Sequence, residues 1–322
     1  MSPGDSLEPD VAATVLAAGT ALAADYVAVE VSGSLAAAGV RTIVLRGPSI
    51  TRHLYDVDEP RAYVDADLLV APASRADTER ILAGLGFAHW AVLGQRAADR
   101  PAWSRTWVRA RGRGNVDLHW TIVGARVEPN TVWSVLEQEA KPLYVLGTRL
   151  DGLSAPATAL VVTLHAAHHG PSVQQPVDDL ARALSHFSRS TWDRASGLAK
   201  RIDAIPAFGA GLRLLPVGVR LADRLGIPDE LTTETILRAG SAPPMALGFD
   251  WLAQTPGLRP KIVFVTGKIV PDREFMRAWS PLARRGDRLG LALAYLWRPF
   301  WLLVHSLPGF RAWYAARRKA AS

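Results

Sequence analysis

Asp65 and Asp67 stand one residue apart in "AYVDADLLVA", residues 62 to 71, a stretch otherwise apolar. In a strand, alternate side chains share a face, so both carboxylates project together, about 7 Å apart along the chain. Two anions held this way repel unless a cation lies between them, and carboxylate oxygens suit a hard divalent ion such as Mg2+ or Mn2+. An exposed strand face neutralised by nearby arginines accounts for the same spacing. A third acid, Asp117 in "NVDLHW", falls on a strand expected in the same sheet. Three carboxylates on one sheet could hold two metal ions and supply a base. His119 shares the face of Asp117 and could orient it or shuttle a proton; a packed core histidine beside Trp120 fits equally.

Upstream, "LRGPSI" offers features that a triphosphate needs: Gly47, which lets the backbone approach, the Ser49 hydroxyl, and a helix start whose free N–H groups attract anions. Pro48 suits the first turn of that helix, where its missing N–H would be unpaired anyway. A tight strand-to-helix turn has the same composition.

The elements that must position these residues follow from periodicity and breakers. Apolar spacing predicts a helix over 10–38 ended by Gly39, and "RTIVL" a short buried strand. The strand at 62–71 is followed by a helix from Ser74, with Asp77 three residues on as in a capping box. "AWSRTWVRA" and "GNVDLHWTIV" flank the turn residues "RGRGN" and read as a hairpin. Beyond about residue 155 the pattern is helical, broken by Pro, Gly and Ser. The expected fold class is therefore α+β: a mixed β-sheet with flanking helices over 1–152, including an N-terminal helix, then a mostly helical region over 153–322.

The order strand, Gly47, helix, Asp65 and Asp67, then Asp117 on a later strand resembles the nucleotidyltransferase superfamily of DNA polymerase beta type. More closely, the chain is similar to the bacterial group described as uncharacterised nucleotidyltransferases, in which "LKG" precedes a helix, "R" leads into "DIDLLV", and "DLHW" follows. Here those places read Leu45, Arg46 and Gly47, then Arg61 leading to "DADLLV", then Asp117 to Trp120. The likeness extends into "LHAAHHG", "VDDLARAL" with Asp178 and Asp179, and "TWDRASGLAKRI", and thins beyond residue 240. It departs at Arg46, where the group has Lys, and at Pro48, where Ala or Ser is usual. Arginine keeps the charge and grips phosphate bidentately, whereas Pro48 removes one backbone N–H from the turn. The resemblance implies Mg2+-dependent transfer of an NMP from an NTP, ATP by default, to an acceptor it does not identify. Asp65, Asp67 and Asp117 would be catalytic and metal-binding, with Arg46, Gly47, Ser49, Arg61 and His119 around the nucleotide. A catalytically silent nucleotide-binding or membrane-associated accessory protein is the other reading.

Composition bounds both readings. The chain of 322 residues has no cysteine, which excludes disulfides and thiolate metal sites, and carries 37 Lys and Arg against 30 Asp and Glu. The net charge of +7 suits phosphate-bearing partners, or is simply a solvated basic surface. The acidic N-terminus lacks signal-peptide features, so a cytoplasmic location is expected. "LGLALAYLWRPFWLLVHSL", residues 289–307, is interrupted by Arg298, Pro299 and His305 and reads as a buried or interfacial helix pair kinked at Pro299 rather than a span. With the basic tail it suggests peripheral contact of 289–322 with an anionic membrane. His165, His168 and His169 share a helix and suit packing, zinc or, through the resemblance, the wall of a pocket; Arg109, Arg111 and Arg113 form a basic turn; Trp103, Trp107, Trp120 and Trp133 are core or base-stacking residues.

Overall fold

A computed structural model of the chain describes residues 9–56, 59, 61–89, 103–109, 114–229, 232–240, 242–284 and 288–321. Among these, the residues up to 89, 103–165 and 178–208 form one compact unit, and 166–177 together with those from 209 onward form a second. Arg111 and Arg113 lie outside the described residues.

The first unit is built on a mixed seven-stranded sheet in the order β3-β4-β5-β2-β1-β7-β6. Its strands are β1 (Thr42–Val44), β2 (Asp65–Val70), β3 (Phe87–His89), β4 (Ser104–Arg109), β5 (Asn115–His119), β6 (Ala140–Val145) and β7 (Thr148–Leu153). The expected hairpin is present as the antiparallel pair β4 and β5. β2 lies between β5, parallel to it, and β1, antiparallel to it. β6 and β7 form a second hairpin, turned by Leu146 and Gly147, both at positive φ.

Strand alternation divides the sheet into two chemically different faces. On one, Ala66, Leu68 and Val70 of β2 and Val116 and Leu118 of β5 pack with Val27, Ala28, Val31 and Leu35 of α1 (Pro9–Ala37) and Leu82 of α3 (Arg75–Gly84). By length and composition, residues 14–37 of α1 could cross a membrane, and its Val27, Val31 and Leu35 stripe packs on the sheet. Ser74 stands at the start of α3 but makes no side-chain cap. A short 3-10 turn, Pro72–Ser74, runs into the helix and leaves Ser74 with helical backbone angles, from which its hydroxyl does not cap.

The opposite face carries the acids. Helices follow the sheet as expected: α5 (Ala155–His169) and α6 (Gln174–His186), which belong to this unit over 155–165 and 178–186, and α7 (Arg189–Arg201). Between them runs an aromatic chain, Phe187 to Trp192 to Phe208, with ring centroids 6.2 and 6.3 Å apart. α6 is tied to the strand region by a buried ion pair. Arg61, four residues before β2, donates from Nε to Asp179 Oδ1 at 2.9 Å and from Nη2 to Oδ2 at 2.7 Å, while Tyr55 donates its hydroxyl to the same Oδ1 at 2.6 Å.

In the second unit the helices α9 (Pro216–Arg224) to α14 (Pro281–Arg284) accompany one long helix, α15 (Arg288–Ala320). The apolar run at 289–307 is thus part of a single helix rather than a pair, continuous through Pro299 and Pro308. Their rings remove two amide donors from the backbone ladder of this helix. The Gly309 backbone lies against Met245, where an added Cβ would come within 2.6 Å.

Removing one partner of a buried ion pair leaves the other charge unpaired in the interior, at a cost of about 3–5 kcal/mol. Asp179→Ala should lower the unfolding free energy by about that amount in urea titrations followed by circular dichroism, and a loss within experimental error would show that the pair does not anchor α6.

Candidate active site

The parallel pairing of β2 and β5 sets Asp67 directly opposite Asp117 and Asp65 opposite Asn115, with Leu69 opposite His119. Period-two alternation then places Asp65, Asp67, Asp117 and His119 on one face, away from the α1 core. The antiparallel neighbour β4 brings Thr106 opposite Asp117, and its hydroxyl donates to Asp117 Oδ1 at 2.5 Å. His119 Nε2 donates to Asp67 Oδ1 at 3.0 Å, so the histidine orients Asp67 rather than Asp117. Its Nδ1 is buried with no hydrogen-bond partner among the described residues.

Arg46 enters this cluster from the end of the β1 segment. Its Nη2 hydrogen-bonds Asp67 Oδ1 and lies 4.0 Å from Asp117 Oδ2. Its Nη1 lies 2.6 Å from Nε2 of His165 on α5. A guanidinium only donates, so this contact fixes His165 in the neutral Nδ1–H tautomer. Of the three histidines on that helix, His165 reaches the acidic cluster; the rings of His168 and His169 pack edge-to-face, 5.0 Å apart.

The carboxylates differ in their electrostatics. Burial by itself would raise the Asp67 carboxyl, but Arg46 and the hydrogen bond from His119 outweigh it and hold Asp67 well below the usual carboxylate range. Asp65 makes no hydrogen bond among the described residues, and the charges of Arg46 and Arg61 lower it less than its surroundings raise it. Burial first, then the charges of Asp67 and Asp117, push it up to about 7.

Gly47 holds the turn between β1 and α2 (Pro48–Leu54) at φ 56°, and a Cβ there would meet the Tyr63 ring at 3.1 Å. Tyr63 is itself fixed by donating to Asp25 of α1 at 2.7 Å. Ser49 is buried and turned toward β7: its Oγ accepts from the Leu153 amide at 3.0 Å, and its own amide donates to the Arg46 carbonyl at 3.2 Å. The Ser49 amide and hydroxyl oxygen are thus both engaged within the fold. Arg61 is held by Asp179, yet its Nη1 is buried without a hydrogen-bond partner among the described residues. Trp107 belongs to the α1 core, and Trp120 is covered by the Arg75 guanidinium, 3.7 Å from its ring centre.

Asp67, Asp117 and His119 each offer one ligand atom, all within 4.8 Å of one another. The two carboxylates suit a hard divalent cation, whereas the imidazole would suit a transition-metal ion. Three carboxylates share the face with one guanidinium in direct contact, and Asp65 keeps its oxygens free of hydrogen bonds among the described residues.

Residues 11–217 match the family described as uncharacterised nucleotidyltransferase. The chain belongs to this family. Among solved structures, this nucleotidyltransferase-family chain is similar to the antibiotic-resistance factor ANT(2'')-Ia, studied in solution, at 13% identity and a TM-score of 0.40, over 58% of this chain and 94% of that one. It is also similar to an antigenic nucleotidyltransferase-like protein from Paracoccidioides brasiliensis, at 15% identity and a TM-score of 0.36, over 58% and 92%. No curated protein matches.

Thr106, Asp179 and the role of His165 were not legible as site features. For Asp179 a signal existed, the paired acids of "VDDLARAL" on an otherwise amphipathic helix. Thr106 and His165 show themselves only through strand register and helix placement.

Because the folded-state value of Asp65 lies above the ordinary 3.8, folding binds a proton, and stability falls as pH rises from about 4 towards 7. Asp65→Asn should flatten that slope in denaturant titrations across this range. A divalent ion must displace the same proton, so Mn2+ affinity by calorimetry should weaken as pH drops below 7 in the wild type. Asp65→Asn should bind weakly at every pH; an unchanged profile would remove Asp65 from the metal site.

Proposed function

We propose that the protein is a divalent-metal-dependent nucleotidyltransferase that transfers an NMP from an NTP to an acceptor hydroxyl and releases pyrophosphate. The observation that carries this reading is the register of β2 and β5, which gathers Asp65, Asp67 and Asp117 on one sheet face beside Arg46. Asp65 and Asp67 would hold a Mg2+ or Mn2+ ion, with Asp117 and His119 within reach of it. Such an ion would neutralise the triphosphate and stabilise charge at the α-phosphorus.

The chain's own residues supply the rest. Arg46 offers a fixed positive charge next to the carboxylates, suited to phosphate oxygens. Arg61, clamped by Asp179, keeps one donor nitrogen unused by the described residues. Gly47, at positive φ with the Tyr63 ring packed where a Cβ would lie, shapes the turn between β1 and α2 that a phosphate would approach. Asp117, steadied by Thr106, would accept the acceptor's proton as its oxygen bonds to the α-phosphorus and the bond to the β-phosphate oxygen breaks. ATP is the default donor, and the geometry favours no acceptor class.

One contact favours a second reading. Arg46 lies on Asp67 itself, and a guanidinium that kept this place permanently would leave a nucleotide-binding protein without transfer activity. Incubation with each α-labelled NTP, Mg2+ or Mn2+ and cell extract decides between the two. The enzyme should label an acceptor, and Asp65→Asn or Asp67→Asn should reduce labelling by at least about a thousandfold with unchanged circular dichroism. Equal labelling by both variants would overturn the assignment. NTP-dependent thermal stabilisation without labelling by any NTP would favour the silent reading.

A further inference from the structure

α15 has inverted polarity. Arg298, the one charge within its apolar run, is 5% exposed: its guanidinium lies 4.5 Å from the ring centres of both Phe275 and Trp279, and its Nε donates to the Lys268 carbonyl at 3.0 Å. Burial lowers its pKa to about 10. With Arg298 inward, Ala294 and Ala316 are also buried, and Leu291, Tyr295, Ala312 and Trp313 pack against the unit's own core clusters.

The outward side bears the large apolar residues. Leu289, Leu293, Leu296, Phe300, Leu303, Leu307, Phe310 and Tyr314 alternate by four and three residues, and each is between 43% and 76% exposed. At 100° per residue this spacing makes one continuous stripe along the helix. In the same unit α12 (Leu258–Ile269) leaves Leu258, Ile262 and Val265 exposed at the same kind of spacing. The stripe along α15 is an exposed apolar surface of the kind that marks an interaction site.

Charge identifies what covers it. Residues 258–322 hold thirteen Lys and Arg and three Asp and Glu, an excess of ten, more than the +7 of the whole chain, so the remaining residues are net acidic. α15 itself has six basic residues and no acid. Arg311 and Arg318 continue the line of the apolar stripe, with Arg317 and Lys319 beside them, all exposed. A second copy would bring like charges together along this face. An anionic bilayer satisfies both features: aromatic and aliphatic side chains enter the headgroup boundary while Arg and Lys meet lipid phosphates. The stripe also lies beyond the residues matched by the family, 11–217.

We infer that α15, with α12, is a peripheral docking surface for an anionic lipid bilayer, on which it lies in the interface plane. The test uses the full-length chain without nucleotide. Co-sedimentation with phosphatidylcholine vesicles containing about one-third phosphatidylglycerol should exceed that with phosphatidylcholine alone by at least tenfold, roughly the effect of two surface basic residues or fewer. The excess should shrink at about 0.5 M salt. Leu296→Glu with Leu303→Glu, both on exposed positions, should reduce binding to the phosphatidylcholine level. Arg311→Gln with Arg318→Gln should weaken it about fivefold per residue without touching the apolar stripe. Absence of anionic preference, or full binding by the glutamate variant, would overturn the inference. So would a dimer in sedimentation velocity that the glutamate variant dissolves while vesicles bind neither form, which would assign the face to a second copy.

Discussion

Three carboxylates confined to one face of a sheet repel one another, and the surroundings of β2 and β5 answer that repulsion. Arg46 contacts Asp67, His119 donates to the same oxygen, and Thr106 donates to Asp117. Asp65 makes no hydrogen bond among the described residues, and the charges of Arg46 and Arg61 only partly offset the burial and the neighbouring acids that push it up. The site is thus electrostatically uneven: Asp67 is held well below the usual carboxylate range, and its neighbour two residues away is pushed above it. For the proposed metal site this unevenness matters, since a fully neutralised pair would have no affinity left for an ion.

The same sheet makes the arrangement rigid. Every residue that carries an acid on one face alternates with an apolar residue on the other, and Ala66, Leu68, Val70, Val116 and Leu118 lock the strands against α1. A slip of one residue between β2 and β5 would bury the carboxylates in that core, so the hydrophobic pattern fixes the register on which the cluster depends. Further ties converge from more distant parts of the chain: Asp25 through Tyr63 onto Gly47, Asp179 onto Arg61, and His165 onto Arg46. Each brings a residue from a helix to a loop or strand end bordering β2.

The helical unit follows a different logic. There the buried residue is the charged one, Arg298, held among aromatic rings and a carbonyl, and the exposed residues are leucines, phenylalanines and a tyrosine. Such an inversion is unfavourable in water and favourable against a surface that is apolar within and anionic at its rim.

The sequence by itself determined the mixed sheet followed by helices, because periodicities of two and of 3.6 and the Gly and Pro breaks are local properties of the chain. It also determined that Asp65 and Asp67 share a face, and with "LRG" and "DLHW" it pointed to the nucleotidyltransferase family that residues 11–217 match. The hairpin of β6 and β7 was hidden, since Leu146 at positive φ replaces the Asn or Asp usual in such turns. Only the tertiary structure decided which residues meet. Strand register put Asp117 opposite Asp67 and Thr106 opposite Asp117; packing turned Ser49 onto β7, gave Arg61 to Asp179, and turned the apolar side of α15 outward. These are contacts between residues far apart in the chain, and no local pattern of side chains encodes a partner that arrives a hundred residues later.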